Sequence, residues 1–218
     1  MANPQDYQFD LPSTPRPVPS KISEEWYPGI AAVWKHCTSK RIWDPILGIK
    51  TIVIHATAGC NSQGAVAAMN ARKASWHWLV PDKDEAEHKK LVWACAPEAR
   101  AAWHVRNAVS HPRVNRGKTK TNHSSLGINV VNAQKSGDDF SEEQIKETAN
   151  IVRYCWAKYP NLRHIVSHAR LDPLRKSDPG VCFPWSHFKE QVLDTSLFPA
   201  ISKEAANATP ANQLGPDQ

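Results

Sequence analysis

Hydrophobic positions in this chain fall into short, nearly continuous runs separated by polar turns. Thr51-Ile52-Val53-Ile54 is a β-branched run closed by a polar His, the pattern of a strand buried on both faces. Leu126 to Asn132 and Arg163 to Ser167 read as core strands too, and Ser75 to Val80 and Leu91 to Ala96 as strands joined by the charged Asp82–Lys90 connection. Helical signals fall between and after them. Gly59 to Gly64 turns the chain into a small-residue helix over Ala65 to Arg72. Ser141 with Gln144 forms a capping box that opens a helix with Ile145, Val152, Cys155, Trp156 and Tyr159 on its apolar face, and Pro160 stops it. Trp185 to Leu193 reads as a closing helix. Strands interleaved with helices predict an α/β fold, a central mixed β-sheet flanked by helices in a single domain.

The ends of the chain read differently. Pro4, Pro12, Pro15, Pro17 and Pro19 fall within the first 19 residues, which predicts an extended, non-helical arm. Hydrophobic residues become frequent from Ile22 to Trp43, a lead-in that packs onto the domain. Pro199 to Gln218 is Ala, Asn, Pro and Gln with little to bury, a flexible tail. The expected division is therefore 1–44 arm and lead-in, 45–198 domain, 199–218 tail. With 218 residues, 41% hydrophobic and 22% charged, the composition excludes collagen-like and fully disordered chains. No run approaches the roughly 18–20 apolar residues of a membrane span. The first residues show neither the basic nor the apolar region of a secretory signal. Five cysteines without a CxxC pair indicate neither a disulfide framework nor a thiolate zinc site.

Charge changes the picture through its placement. From Ala99 to Gly137 there is no Asp or Glu, while Arg100, Arg106, Arg113, Arg116, Lys118, Lys120 and Lys135 contribute +7 against a whole-chain net of +6. Such a stretch can attract nucleic acid, an anionic lipid surface or a substrate bearing carboxylates, or can simply be a solvated loop. The positives are not interleaved with aromatics and match no nucleic-acid motif, so no nucleic-acid partner is expected.

Three candidate metal ligands stand at or after the ends of hydrophobic strands. His55 follows the first run, His168 follows Ile165-Val166-Ser167, and Asp178 lies ten positions beyond His168 on a Pro-bounded loop. A catalytic zinc takes three ligands of this type and keeps a fourth position open. A His at a strand end is also an ordinary hydrogen-bonded structural residue, and on spacing alone both readings stand. Lys176, two residues before Asp178, would bring an ammonium to the same site, where it can stabilise a developing oxyanion.

Five segments carry a resemblance. TIVIHATAG, ASWHWLV, RAAWH, NHSSLGI and HARLDPLRKSDPGVCFPW occur in order from about Lys50 to Val192. They resemble the metal-ligand and groove motifs of the zinc-dependent N-acetylmuramoyl-L-alanine amidases that share a fold with peptidoglycan-recognition proteins. The last segment, with its ten-residue step from His to Asp, is the most specific. The resemblance implies that 45–198 is a zinc amidase domain in which His55, His168 and Asp178 bind Zn2+ and Lys176 is the catalytic cation. It places His77, Trp103, His104, Asn122 and Asn129 as substrate-binding or groove-bracing residues. The implied substrate is the amide joining N-acetylmuramic acid to L-alanine of the stem peptide, in peptidoglycan or soluble muropeptides. The basic run Arg106 to Lys120 is then expected to form one cleft wall that recognises stem-peptide carboxylates.

Two departures bear on the chemistry. Asn129 stands where the cytoplasmic branch has Glu, and Trp76 where other branches have Tyr. An amide cannot take a proton from an attacking water, so the general base is open and a catalytically weak peptidoglycan-binding protein is the alternative. Synthesis in the cytoplasm without a signal peptide is expected. The substrate points to action in the periplasm or cell wall, with cytoplasmic recycling as a second setting and an immunity protein as a partner if the chain is a delivered toxin.

Overall fold

The computed structural model describes residues 3–135 and 137–198. The expected tail, 199–218, lies outside the described residues.

Among the described residues nine strands and five α-helices follow one another: β1 (Gln8–Asp10), β2 (Glu24–Trp26), β3 (Thr38–Lys40), β4 (Thr51–Ala56), α1 (Ser62–Asn70), β5 (Trp78–Val80), β6 (Val92–Ala94), β7 (Arg100–Ala102), α2 (Pro112–Asn115), β8 (Ser125–Val130), α3 (Glu142–Lys158), β9 (His164–Ser167), α4 (His168–Leu171) and α5 (Trp185–Leu193). Seven strands make one mixed sheet in the order β1-β9-β4-β8-β5-β6-β2, and β3 pairs with β7 separately. β9, β4, β8 and β5 run parallel at its centre, buried on both faces, which is why apolar residues dominate them.

Strand alternation then sorts the two faces. Ile52 and Ile54 of β4 and Leu126, Ile128 and Val130 of β8 enter the large core beneath α3 and α5. Val53 points to the other face, where it packs with Val105, Val109, Val114, Val166 and Leu171. His55 shares the parity of Val53, so the same alternation that buries the isoleucines turns His55 to that second face. Ser125, Gly127 and Asn129 of β8 share it too, with Val53 paired to Gly127 and His55 to Asn129.

The capping box forms as read: Gln144 donates its backbone N–H to Ser141 Oγ at 3.1 Å, and Ser141 N–H donates to Gln144 Oε1 at 3.0 Å. The helix ends at Lys158, two residues before Pro160, and α5 spans the expected residues. The N-terminal arm departs from expectation. Pro4–Asp6 forms a 3-10 turn and Gln8–Asp10 an edge strand antiparallel to β9. Tyr7, Phe9 and Leu11 are buried, and Tyr7 stacks on Trp185 with centroids 4.9 Å apart. A proline at the first position of a turn needs no N–H, and the apolar alternation of Tyr7, Phe9 and Leu11 supplies the core contact. The expected boundary at residue 44 thus separates strands that share a sheet, since β1 and β2 form its two edges. Among the described residues no helix is long and apolar enough to cross a membrane.

Candidate metal centre and its cleft

At the C-terminal ends of β4 and β9 three side chains converge. His55 Nδ1 lies 3.1 Å from His168 Nδ1 and 3.1 Å from Asp178 Oδ2, and His168 Nδ1 lies 3.0 Å from the same carboxylate oxygen. All three residues are buried. His55 is carried by β4, and His168 opens α4, whose cap is Ser167 accepting from Arg170 N–H at 2.9 Å. Asp178 returns on the loop after α4, where its carbonyl accepts from Ala169 N–H at 2.9 Å. Arg106 fixes the start of that loop by forking Asp172 with two hydrogen bonds of 2.9 Å, which holds the Asp172 carboxyl below its ordinary range. The arm contributes as well: Ser167 Oγ donates to Pro4 O at 2.6 Å and Arg170 Nη1 to Gln5 O at 3.0 Å, so the edge turn braces α4.

The hydrogen bonds behind His55 decide which of its nitrogens is free. Thr121 O can only accept, so Ser125 Oγ donates its proton there at 2.8 Å. Ser125 Oγ must then accept from His104 Nε2–H at 3.1 Å. His104 is held neutral because burial first, and the neighbouring His55 next, push its pKa well below the ordinary value. Its Nδ1 is therefore an acceptor, and it takes His55 Nε2–H at 3.1 Å. His55, lowered to about 4 by burial and then by His168, is left with an unprotonated Nδ1 facing His168 and Asp178. Gly127 makes room for this relay. A Cβ there would stand 2.8 Å from His104 Cγ, so only glycine lets the imidazole lie flat against the strand.

A zinc ion fits this donor set. Two imidazoles and one carboxylate present one atom each within a small triangle, with the tautomer of one imidazole fixed from behind. The cleft in front is a cavity of about 570 Å³ bordered by His55, Asn129, His168, Lys176 and Asp178, and a second of about 460 Å³ adjoins it through His104, His168, Arg175 and Lys176. Lys176 is half-buried and borders both, where an ammonium is wanted.

The other expected groove residues divide. Trp103 is 37% exposed at the rim of the second cavity, its Nε1–H donating to Ser39 Oγ at 2.8 Å. Asn129 borders the first cavity beside His55, and its buried Oδ1 has no hydrogen-bond partner. His77, Asn122 and His104 make bracing contacts, Asn122 and His104 also bordering the cavities. His77 is fully buried; its Nδ1 accepts from Gly127 N–H at 2.9 Å and its Nε2–H donates to Arg100 O at 3.1 Å. Asn122 spends its amide on Val105, accepting from the backbone N–H at 2.9 Å and donating to the carbonyl at 2.6 Å. His104 borders the cleft, but both ring nitrogens serve the relay. Arg41 supports this layer from below, donating to Glu98 O, Asn122 O and Ser125 O at 2.9–3.0 Å.

The basic run does not form the cleft wall that was expected. Arg106 reaches the second cavity, but Arg113, Arg116 and Lys118 gather with Lys50 and Arg163 at the opposite, N-terminal ends of β4 and β9. The loop between them crosses from one end of the sheet to the other, which charge counting along the chain cannot show. Ser125, Gly127 and Arg41 were missed as site residues. A glycine inside a strand, flanked by apolar neighbours, was the available signal for a close approach.

Fold and site together define a mixed-sheet protein with a His-His-carboxylate cluster able to hold a metal ion at the C-terminal ends of adjacent parallel strands. The family profile of N-acetylmuramoyl-L-alanine amidase matches residues 44–181, and the chain belongs to that family. It is 32% identical over 154 residues to the N-acetylmuramoyl-L-alanine amidase AmiD of Escherichia coli K12, covering 66% of this chain and 54% of that protein. It is 29% identical over 101 residues to the 1,6-anhydro-N-acetylmuramyl-L-alanine amidase AmpD of Salmonella typhimurium LT2, covering 46% and 50%. The chain thus spans about half the length of these curated relatives. Among solved structures, the E. coli AmiD complex with anhydro-N-acetylmuramic acid-L-Ala-D-γ-Glu-L-Lys aligns with a TM-score of 0.55 at 31% identity, covering 66% of this chain and 57% of the other. AmpDh3 of Pseudomonas aeruginosa with an anhydromuramic pentapeptide aligns at 0.57 and 25% identity, covering 67% and 60%.

Proposed function

We propose that this protein is a zinc-dependent amidase that hydrolyses the amide between N-acetylmuramic acid and L-alanine of the stem peptide. The observation that carries the reading is the convergence of His55 Nδ1, His168 Nδ1 and Asp178 Oδ2 within hydrogen-bonding distance of one another, with His55 Nδ1 left unprotonated by the relay behind it. These three residues hold the metal. Bound zinc lowers the pKa of a water to about 7 and polarises a carbonyl. The chain's own residues supply the rest. Lys176 offers its ammonium to the oxygen that gains negative charge as the amide carbonyl is attacked. Asn129 borders the cleft beside His55, and its neutral amide can hydrogen-bond the attacking water or the substrate without taking the proton. Trp103 at the rim gives an aromatic face to the sugar or peptide, and the Arg106–Asp172 fork keeps the Lys176 loop in place.

The test is a defined anhydromuramyl tripeptide incubated with the protein, with zinc and with a chelator, read by mass spectrometry. Free tripeptide and anhydromuramic acid that form only with metal are expected; an unchanged substrate in the presence of zinc contradicts the reading. A second reading, a catalytically weak peptidoglycan-binding protein, is favoured by one observation: Asp178 is the only carboxylate bordering the first cavity among the described residues. Asn129→Glu separates the two, since it raises turnover where only a base is lacking. The substrate class puts the site of action at the cell wall or periplasm, or on recycled fragments in the cytoplasm.

A further inference from the structure

The end of the sheet opposite the metal centre carries two features that the amidase chemistry does not use. The first is a cavity of about 390 Å³ bordered by Lys50, Arg113, Arg116, Lys118 and Arg163, with no acidic residue in its wall. All five side chains are exposed. Asp10 answers Arg163 at 3.9 Å and His164 at 2.8 Å, while Lys50, Arg113, Arg116 and Lys118 have no carboxylate partner among the described residues. The segment presenting them is pinned: Val114 and Asn115 are buried, and Asn115 Nδ2 donates to Lys118 O at 3.2 Å.

The second feature is the turn leading into β4. Ile42, Ile46 and Leu47 stand 54%, 43% and 55% exposed. A lone exposed aliphatic residue is ordinary, but Ile46 and Leu47 are adjacent on one turn, with Ile42 just before it. The turn is built to hold this shape. Asp44 Oδ1 accepts from Ile46 N–H at 2.8 Å and Leu47 N–H at 2.6 Å, and Gly48 N–H closes on Asp44 O at 2.9 Å. A Cβ on Gly48 would lie 2.3 Å from that carbonyl, so the closure requires glycine. The one negative charge of the turn is thereby directed onto its own amides. The two features adjoin, because Asn161, which borders the cationic cavity, donates its Nδ2–H to Leu47 O at 2.9 Å.

We propose that this face docks the protein on an anionic phospholipid surface, with Ile46 and Leu47 entering the headgroup boundary and the Lys50–Arg163 cluster binding the phosphates. Cations around an apolar tip are the combination that favours a charged bilayer surface over a soluble polyanion. A single-stranded nucleic acid would call for aromatic platforms, and no Phe, Tyr or Trp borders the cavity. Five residues of extended chain, roughly 16 Å, separate Lys50 from His55, so a docked molecule points its cleft away from the lipid.

The experiment is cosedimentation of the full chain with vesicles of phosphatidylglycerol and phosphatidylcholine in equal parts, with phosphatidylcholine alone, with purified sacculi and with duplex DNA. The expected result is retention on the anionic vesicles only where phosphatidylglycerol is present, released by salt. Ile46→Ser with Leu47→Ser, and separately Arg113→Ala with Arg116→Ala and Lys118→Ala, should each cut that affinity by about tenfold or more. Both variants should keep the thermal midpoint and any muropeptide turnover of the parent. Wild-type protein left in the supernatant with anionic vesicles overturns the proposal. So does a serine variant that binds vesicles like the parent, and stronger cation-dependent retention on DNA or sacculi assigns the face to that polymer instead.

Discussion

The two ends of β4 face opposite problems in electrostatics. At its C-terminal end, His55 packs against His104 and His168 beside the Asp178 carboxylate, and burial keeps protons off the imidazoles: His55 is lowered to about 4, and a hydrogen-bond relay from Thr121 O fixes its one N–H. At its N-terminal end, five exposed basic side chains share a cavity, their mutual repulsion screened by water. One end gathers donors suited to a divalent ion, the other gathers exposed positive charge. The lesson concerns burial: clustered basic side chains become a metal site when dehydrated and forced neutral, and an electrostatic surface when left in solvent.

The first way to break that contrast is to remove the one carboxylate of the buried end. Asp178→Ala should abolish both zinc retention and turnover, checked by metal analysis of the dialysed protein and by product mass; retained zinc with full turnover would overturn the ligand assignment. A gentler break lies behind the ligand. His104→Ala removes the acceptor of His55 Nε2–H, and zinc affinity should fall about 10–100-fold, as for other groups that orient a metal-binding histidine. Gly127→Ala strikes the same relay sterically and should cost about 1–3 kcal/mol in urea unfolding, because the strand and the His104 ring cannot both stay where they are.

Acid sharpens the comparison further. His77 sits near 6.5 when unfolded and is pushed to about 3 in the fold, by burial first and the charge of Arg41 second. Between those values the unfolded chain binds more protons. The stability is present in full above about pH 6.5 and is lost as pH falls, at about 1.4 kcal/mol per pH unit for this one group. Urea midpoints of metal-free protein should therefore drop between pH 6.5 and 4, with a smaller slope in His77→Gln; a flat profile would contradict neutral burial. The smallest effect is expected at the far end, where the Arg113, Arg116 and Lys118 variant should hold zinc as tightly as the parent.

These contrasts also mark what the chain makes legible. The central strands announce themselves because parallel strands buried on both faces are rich in apolar and β-branched residues, as Thr51 to Ile54 and Leu126 to Val130 are, polar Asn129 excepted. The edges do not. Gln8–Asp10, Glu24–Trp26, Thr38–Lys40 and Arg100–Ala102 are three residues each, and they are strands because a neighbour offers a ladder. The metal trio came from resemblance, spacing alone leaving it ambiguous, and the structure brings its three residues together. For His77 and Asn122 the motif left open whether the side chain serves the groove or the backbone, and the structure shows their hydrogen bonds to Gly127, Arg100 and Val105. The basic run was misplaced because adjacency in sequence says little about which end of a sheet a long loop reaches.

Zinc-edge anomalous diffraction from crystals of the zinc-loaded protein tests the central claim most directly. One peak is expected about 2.0–2.2 Å from His55 Nδ1, His168 Nδ1 and Asp178 Oδ2 together. A peak held by other side chains, or none at that cluster in zinc-saturated crystals, would contradict it.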